Sequence, residues 1–268
     1  MRIALLLLLV ASSCCVATTP APTTQFKTET ASVEGPRQDL DSPLAMLEST
    51  VQLQVTIEAT MTREDQETKT TSIKPVKTGW TGSGVVYANN GKRSLILSAN
   101  HVLQTPAVGS VEDVTVGIFG VEMVLGQRRI DKVTIEAKTA SGDICNVTVL
   151  ALGVDDHRDV ATASVDCDAG RVAPIATSTP ARGEKVYVSG HSRGSPLALV
   201  TDGYVSGVME HYLLVSAAAA PGNSGGPVFY QGRIIGLLVR GHSAYSHMSL
   251  VTPLESVLLR VAETPGLD

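Results

Sequence analysis

From residue 49 the chain alternates. Val51, Leu53, Val55 and Ile57 are apolar, and Gln52, Gln54, Thr56 and Glu58 between and after them are polar. That is the period-two pattern of a strand with one buried face. Residues 61–77 are charged and polar and read as a loop. The apolar runs 85–87 and 94–97 flank Asn89-Asn90-Gly91-Lys92, which reads as a hairpin turn. Short apolar runs follow at 114–119, 133–137, 144–152, 160–165, 185–189, 197–201, 204–208, 212–216, 228–230, 234–239 and 248–251, punctuated by Gly, Asp, Asn and Pro. Many short strands predict an all-β fold of the sandwich or barrel kind. The one helix expected is the last element. Thr252 caps it, Pro253 opens it and Glu255 completes a Thr-x-x-Glu capping box. Leu254, Val257, Leu258 and Val261 form its apolar stripe, and Thr264-Pro265-Gly266 ends it.

Upstream of the first strand the character is different. Arg2 precedes an apolar run from Ile3 to Val10 and the small residues Ala11-Ser12-Ser13, the order of a secretory signal. The run is too short for a membrane-spanning helix of about 20 residues. Ala11-Ser12-Ser13-Cys14 resembles a bacterial lipobox, with Ala11 where leucine is usual. Two readings stand: lipidation of Cys14, or an ordinary cleaved signal that carries Cys14 and Cys15 away. Residues 1–15 are thus assigned as signal and 16–48, rich in Thr, Pro, Ala and Gln, as a tether.

Composition narrows the function classes. Of 268 residues 43% are hydrophobic and 18% charged, enough apolar material for a packed core. A net charge of −5 without a dense basic cluster argues against nucleic acid as a partner. Cys145 and Cys167 fall on either side of an expected hairpin centred near Asp156. Export permits a bridge between them; two buried free thiols are the alternative. No histidine pair has helical metal-site spacing and the cysteines join none, so neither metal nor cofactor is expected.

The candidate chemistry centres on Ala220-Pro221-Gly222-Asn223-Ser224-Gly225-Gly226-Pro227. Glycines around one serine allow backbone N–H groups to converge on a developing oxyanion. The serine needs a base, and the base an orienting group. Of six histidines, His157, His191, His211, His242 and His247 read as surface or structural. His101 follows the apolar run 95–97 in Ser98-Ala99-Asn100-His101-Val102, at a strand end where loops carry function. Asp159 enters an apolar strand in Asp159-Val160-Ala161, where a carboxylate can be desolvated; Asp155 and Asp156 read as turn residues.

Together these three segments resemble the trypsin-like (chymotrypsin-fold) serine proteases, in the order His, Asp, Ser. Gly82-Ser83-Gly84 and Asn100 are similar to the HtrA-like bacterial members. The resemblance implies two antiparallel β-barrels with a C-terminal helix, here 49–170 and 171–268. Ser224 would be the nucleophile, His101 the base and Asp159 its orienting partner. Gly222, Asn223 and Ser224 would form the oxyanion loop, and the substrate would be protein or peptide. Ala218, Val239 and Gly241 would shape the specificity pocket, with Leu238 where glutamate-specific relatives have histidine. No carboxylate stands at Ala218, so small or medium apolar side chains are expected before the cut. The 57 residues between His101 and Asp159 imply a long insertion around 106–142. Asn223 replaces the aspartate of zymogen-type members, which argues against activation by N-terminal cleavage. No peptide-binding PDZ module is expected after the catalytic part.

Two rivals remain. Gly222-Asn223-Ser224-Gly225-Gly226 also fits the Gly-x-Ser-x-Gly of α/β-hydrolases, but there the acid and histidine follow the serine. The second rival is a catalytically silent relative that binds peptides in the same cleft.

Overall fold

The computed structural model describes residues 42–64, 68–118, 121–153, 159–242, 244–245 and 247–267. The signal segment, Cys14, most of the tether and His157 lie outside them. The alternation at 51–57 produces strand β1 (Thr50–Glu64), with Val51, Leu53, Val55 and Ile57 all buried. Next come β2 (Thr71–Asn89), β3 (Ser94–Ser98), the one-turn helix α2 (Asn100–Leu103), β4 (Val111–Ile118), β5 (Val121–Lys138), β6 (Ile144–Ala151) and β7 (Ala161–Val165). A short helix, α1 (Pro43–Glu48), precedes β1. The strands run β1-β2-β3-β7-β6-β5, β1 pairs back onto β5 to close a barrel, and β4 lies outside on β5. The second barrel closes in the order β10-β13-β12-β11-β8-β9. Its strands are β8 (Lys185–Gly190), β9 (Leu199–Met209), β10 (Tyr212–Val215), β11 (Pro227–Tyr230), β12 (Arg233–Gly241) and β13 (Ser249–Val251). Helix α3 (Leu254–Ala262) follows. Two closed six-strand antiparallel barrels and a C-terminal helix make up the fold.

Period two decides which core each residue enters. Val86 and Ile96 point into the first barrel, whereas their neighbours Val85 and Leu97 point out of it. Val85 and Leu97 meet Phe229, Ile234 and Leu237 of the second barrel, with Met46 of α1 and Val257 of α3 in the same cluster. This seam holds the two barrels in one register, which a site shared between them requires.

Some expectations are corrected and others are met. Residues 43–48, assigned to the tether, form α1: Ser42 caps it and Met46 is 2% exposed in the seam. Residues 61–64 and 71–77, read as loop, continue β1 and β2. Their backbone groups are paired because β1 has β2 on one side and β5 on the other. Ile57, Ala59 and Ile130 give this projecting sheet a small core of its own. The insertion before Asp159 is the β4–β5 hairpin. Runs 197–201 and 204–208 belong to one strand, because Asp202-Gly203 stays paired with Tyr187 and Val186. The capping box does not form. Pro253 is the N-cap of α3, and Thr252 Oγ1 instead accepts the Leu237 N–H at 2.9 Å. In α3 Leu254 and Val257 are buried but Leu258 is 43% exposed. Cys145 and Cys167 are disulfide-bonded across the β6–β7 hairpin, with Cα atoms 6.1 Å apart.

Phe229 is 1% exposed and has no smaller substitute in the seam. Phe229→Ala should lower unfolding free energy in urea by about 3–5 kcal/mol. A loss below about 1 kcal/mol would mean that the seam does not hold the barrels together.

Candidate active site

Strand β3 ends at Ser98 and the chain turns at once into α2. Val102 and Leu103 are buried and anchor that turn, leaving His101 on its exposed side. The Trp80 indole N–H donates to the Val102 carbonyl at 2.9 Å and ties the turn to β2. Asn100 links it to the β6–β7 hairpin, since its Oδ1 accepts the Gly153 N–H at 2.8 Å. Asp159 stands just before β7, in the same β6–β7 connection as Gly153. One carboxylate oxygen accepts the His101 backbone N–H at 2.9 Å and the other meets His101 Nδ1 at 2.6 Å. Burial alone pushes the Asp159 carboxyl up. The bonds and charge of His101, with the backbone N–H groups of His101 and Asn100, outweigh it and hold the group below the ordinary carboxylate range. An ionised Asp159 places the imidazole proton on Nδ1, so Nε2 is the basic nitrogen.

The serine loop packs between the barrels. Gly222 (φ 94°) and Gly225 (φ 81°) adopt left-handed backbone angles that favour glycine. A Cβ at Gly225 would lie 2.7 Å from the nitrogen of Ala99, two residues before His101. The loop is therefore pressed against the segment that carries the histidine. The Ser83 N–H donates to the Ser224 carbonyl at 2.8 Å and fixes the Ser224 backbone to β2. Asn223 lies between Gly222 and Ser224 in the oxyanion loop. Its N–H is engaged by the Ala220 carbonyl at 3.0 Å, and its side chain is 3% exposed and accepts the Ser192 hydroxyl. Gly225 and Gly226 also spend their N–H groups, on Leu238 and Asn223 carbonyls. Among the described residues the Gly222 and Ser224 N–H groups have no acceptor, as donors kept for an anion require. The Ser224 hydroxyl donates to the Val239 carbonyl at 3.0 Å. Among the described residues it makes no bond to His101.

The chain carries a match to the trypsin-like peptidase domain over residues 82–237. It belongs to that family. Its fold is similar to that of the Rv3671c protease from M. tuberculosis in its active form, at 14% identity over 85% of this chain and 87% of that one, with a TM-score of 0.58. It is also similar to the serine endoprotease from Yersinia pestis, at 19% identity over 81% of this chain and 62% of that one, with a TM-score of 0.54. No curated protein sequence matches it.

In this trypsin-like domain Asp159 is thus bonded to His101, and Gly225 of the serine loop packs against Ala99, two residues before His101. The expected pocket residues scatter more. Val239 is buried and touches Ser224 through its carbonyl, while Ala218 is exposed and offers its carbonyl to Thr201. Gly241 lines a groove of about 270 Å³ with Met209, Glu210, Tyr212 and Arg240. Leu238 is 1% exposed in the second barrel's core. Among the described residues no cluster of His, Cys, Asp and Glu is arranged to hold a metal ion.

One residue escaped the sequence as a contributor. His191 is 3% exposed behind the serine loop. Its Nδ1–H donates to the Ser195 carbonyl at 2.9 Å, and its Nε2 has no partner among the described residues. Burial pushes the imidazole down, Lys138 adds to this, and the Ser195 carbonyl opposes it. The only cue was a histidine between two short strands in a glycine-rich turn, which surface histidines share.

His191 and Asp159 both have folded-state values below their unfolded ones. Each therefore stabilises the fold above its unfolded value and loses that contribution as pH falls through the folded one. The His191 loss begins below about pH 6.5, that of Asp159 below about pH 3.9. Urea midpoints should fall between about pH 7.5 and about pH 5.5, and His191→Asn should flatten this part of the curve. An unaltered slope in the variant contradicts the assignment.

Proposed function

We propose that the protein is an exported serine endopeptidase. Ser224 is the nucleophile, His101 the general base and then acid, and Asp159 the group that fixes the imidazole tautomer. What carries the reading is the grip of Asp159 on both the backbone and the ring of His101, beside a serine loop pressed onto Ala99. For reaction the Ser224 hydroxyl turns from Val239 toward His101 Nε2, which takes its proton as the oxygen attacks the scissile carbonyl. The Gly222 and Ser224 N–H groups receive the resulting oxyanion. His101 then protonates the leaving amine, and water repeats the sequence on the acyl-enzyme. The uncharged Ala218 and the apolar Val239 beside Ser224 favour small or medium apolar side chains before the cut. A methylene more or less changes discrimination by only about 1–3 kcal/mol, so the preference is broad. Export rests on the charged, apolar and small-residue order of residues 1–15.

A second reading is a silent domain that binds peptides in the cleft. It is favoured by one observation, the Ser224 hydroxyl resting on Val239 instead of His101. A fluorophosphonate probe separates the two: the peptidase labels in the wild type and not in Ser224→Ala, the silent domain labels in neither. Asp159→Asn should lower kcat by about 10⁴-fold. In a peptide panel, faster cleavage after Arg or Glu than after Val, Ala or Leu would defeat the specificity assignment.

A further inference from the structure

The Gly222 N–H stays on the cleft side only while the peptide joining Pro221 to Gly222 does not rotate. Glycine is the residue least able to prevent that by itself. Because a trans peptide sets its C=O and N–H on opposite sides, holding a carbonyl fixes the direction of the N–H next in sequence. Every carbonyl from Pro221 to Ser224 is held. Pro221 receives the Arg193 N–H at 2.5 Å, Gly222 the Ser83 hydroxyl at 2.8 Å, Asn223 the Gly226 N–H at 2.9 Å and Ser224 the Ser83 N–H at 2.8 Å. Three of these donors are backbone groups and the fourth is a side chain.

We propose that the Ser83 hydroxyl is a positioning residue for the oxyanion site: from the far barrel it holds the His191 N–H at the start of the turn whose Arg193 N–H grips the Pro221 carbonyl, and so keeps the Gly222 N–H facing the reacting carbonyl. Ser83 is fully buried. Its hydroxyl donates to Gly222 and accepts the His191 N–H at 2.9 Å, so its direction is set from both ends. His191 begins the 3-10 turn Ser192–Gly194, which presents the Arg193 N–H to Pro221. Arg193 holds a left-handed φ of 54°, a strained angle for a side chain of its size, on the turn that aims this donor. The same hydroxyl therefore steadies the turn that holds the Pro221 carbonyl and, through the Gly222 carbonyl, fixes the peptide that follows Gly222. This role rests on the peptidase reading above.

The test compares Ser83→Ala with Ser94→Ala. Ser94 is also fully buried, donates to the Cys167 carbonyl at 3.0 Å and accepts the Ala169 N–H at 2.8 Å, at the other end of β3 from the site. Losing either hydroxyl should lower the melting temperature by a similar amount. Only Ser83→Ala should lower kcat, by about 10–100-fold, with KM changed less than about threefold. Its affinity for a peptide boronic acid, whose tetrahedral adduct occupies the oxyanion site, should fall in parallel. If Ser83→Ala does not fold, Arg193→Val answers instead. Residue 193 is exposed, and a β-branched side chain resists the left-handed angle. Its kcat should fall with KM preserved. Wild-type kcat in Ser83→Ala or in Arg193→Val, or an equal loss in Ser94→Ala, overturns the role of Ser83. In all of these outcomes the wild type still reacts with a fluorophosphonate; a wild type that neither labels nor cleaves peptides overturns the peptidase reading and this role together.

Discussion

A buried polar group must find partners inside the protein, and Ser83 finds most of its partners across the barrel boundary. Its N–H and hydroxyl go to the serine loop, and its hydroxyl also takes the N–H at the end of β8. Its carbonyl accepts the Ser98 hydroxyl at 2.7 Å, within the first barrel. Breaking any one of these leaves a buried donor or acceptor unpaired, at a cost of about 1–3 kcal/mol. The apolar seam brings the barrels together, but apolar contact is non-directional. Ser83 supplies the direction. It fixes where the second barrel's loop sits relative to the strand leading to His101.

The Asp159–His101 pair depends on a similar arrangement within the first barrel. Asp159 has both oxygens committed to one residue, and Asn100 beside it holds the opposing hairpin. The carboxylate therefore sets the backbone position of His101 as well as its tautomer. The low pKa of Asp159 has the same cause: the groups that fix the imidazole are those that stabilise the charge. The Ser224 hydroxyl rests on the Val239 carbonyl and makes no bond to His101 among the described residues; in the proposed mechanism it turns to His101 Nε2.

Alternation made β1 and most later strands legible, and the glycine-serine loop marked Ser224 as the candidate nucleophile, because each is a local pattern. The end of the β1–β2 hairpin was not. Residues 71–77 carry Lys74, Pro75 and Lys77 and are almost all exposed, so no apolar period marks them. They are strand because β1 offers them backbone partners, a fact about register and not about composition. Thr252 misled in the opposite way. It has the spacing of a helix cap, but its hydroxyl is taken by Leu237 of β12. Asn223 lies within the oxyanion loop by position, but its N–H goes to the Ala220 carbonyl. Ser83 stood out only as a serine between two glycines, and its partners in the second barrel lie more than a hundred residues away in the chain.

In the proposed mechanism the acyl group passes covalently through Ser224. Rapid mixing with a p-nitrophenyl ester measures this directly. The expected result is a burst of about one nitrophenolate per protein chain, with the acyl mass found by mass spectrometry on the peptide containing Ser224. Linear release without a burst, unchanged in Ser224→Ala, would contradict it.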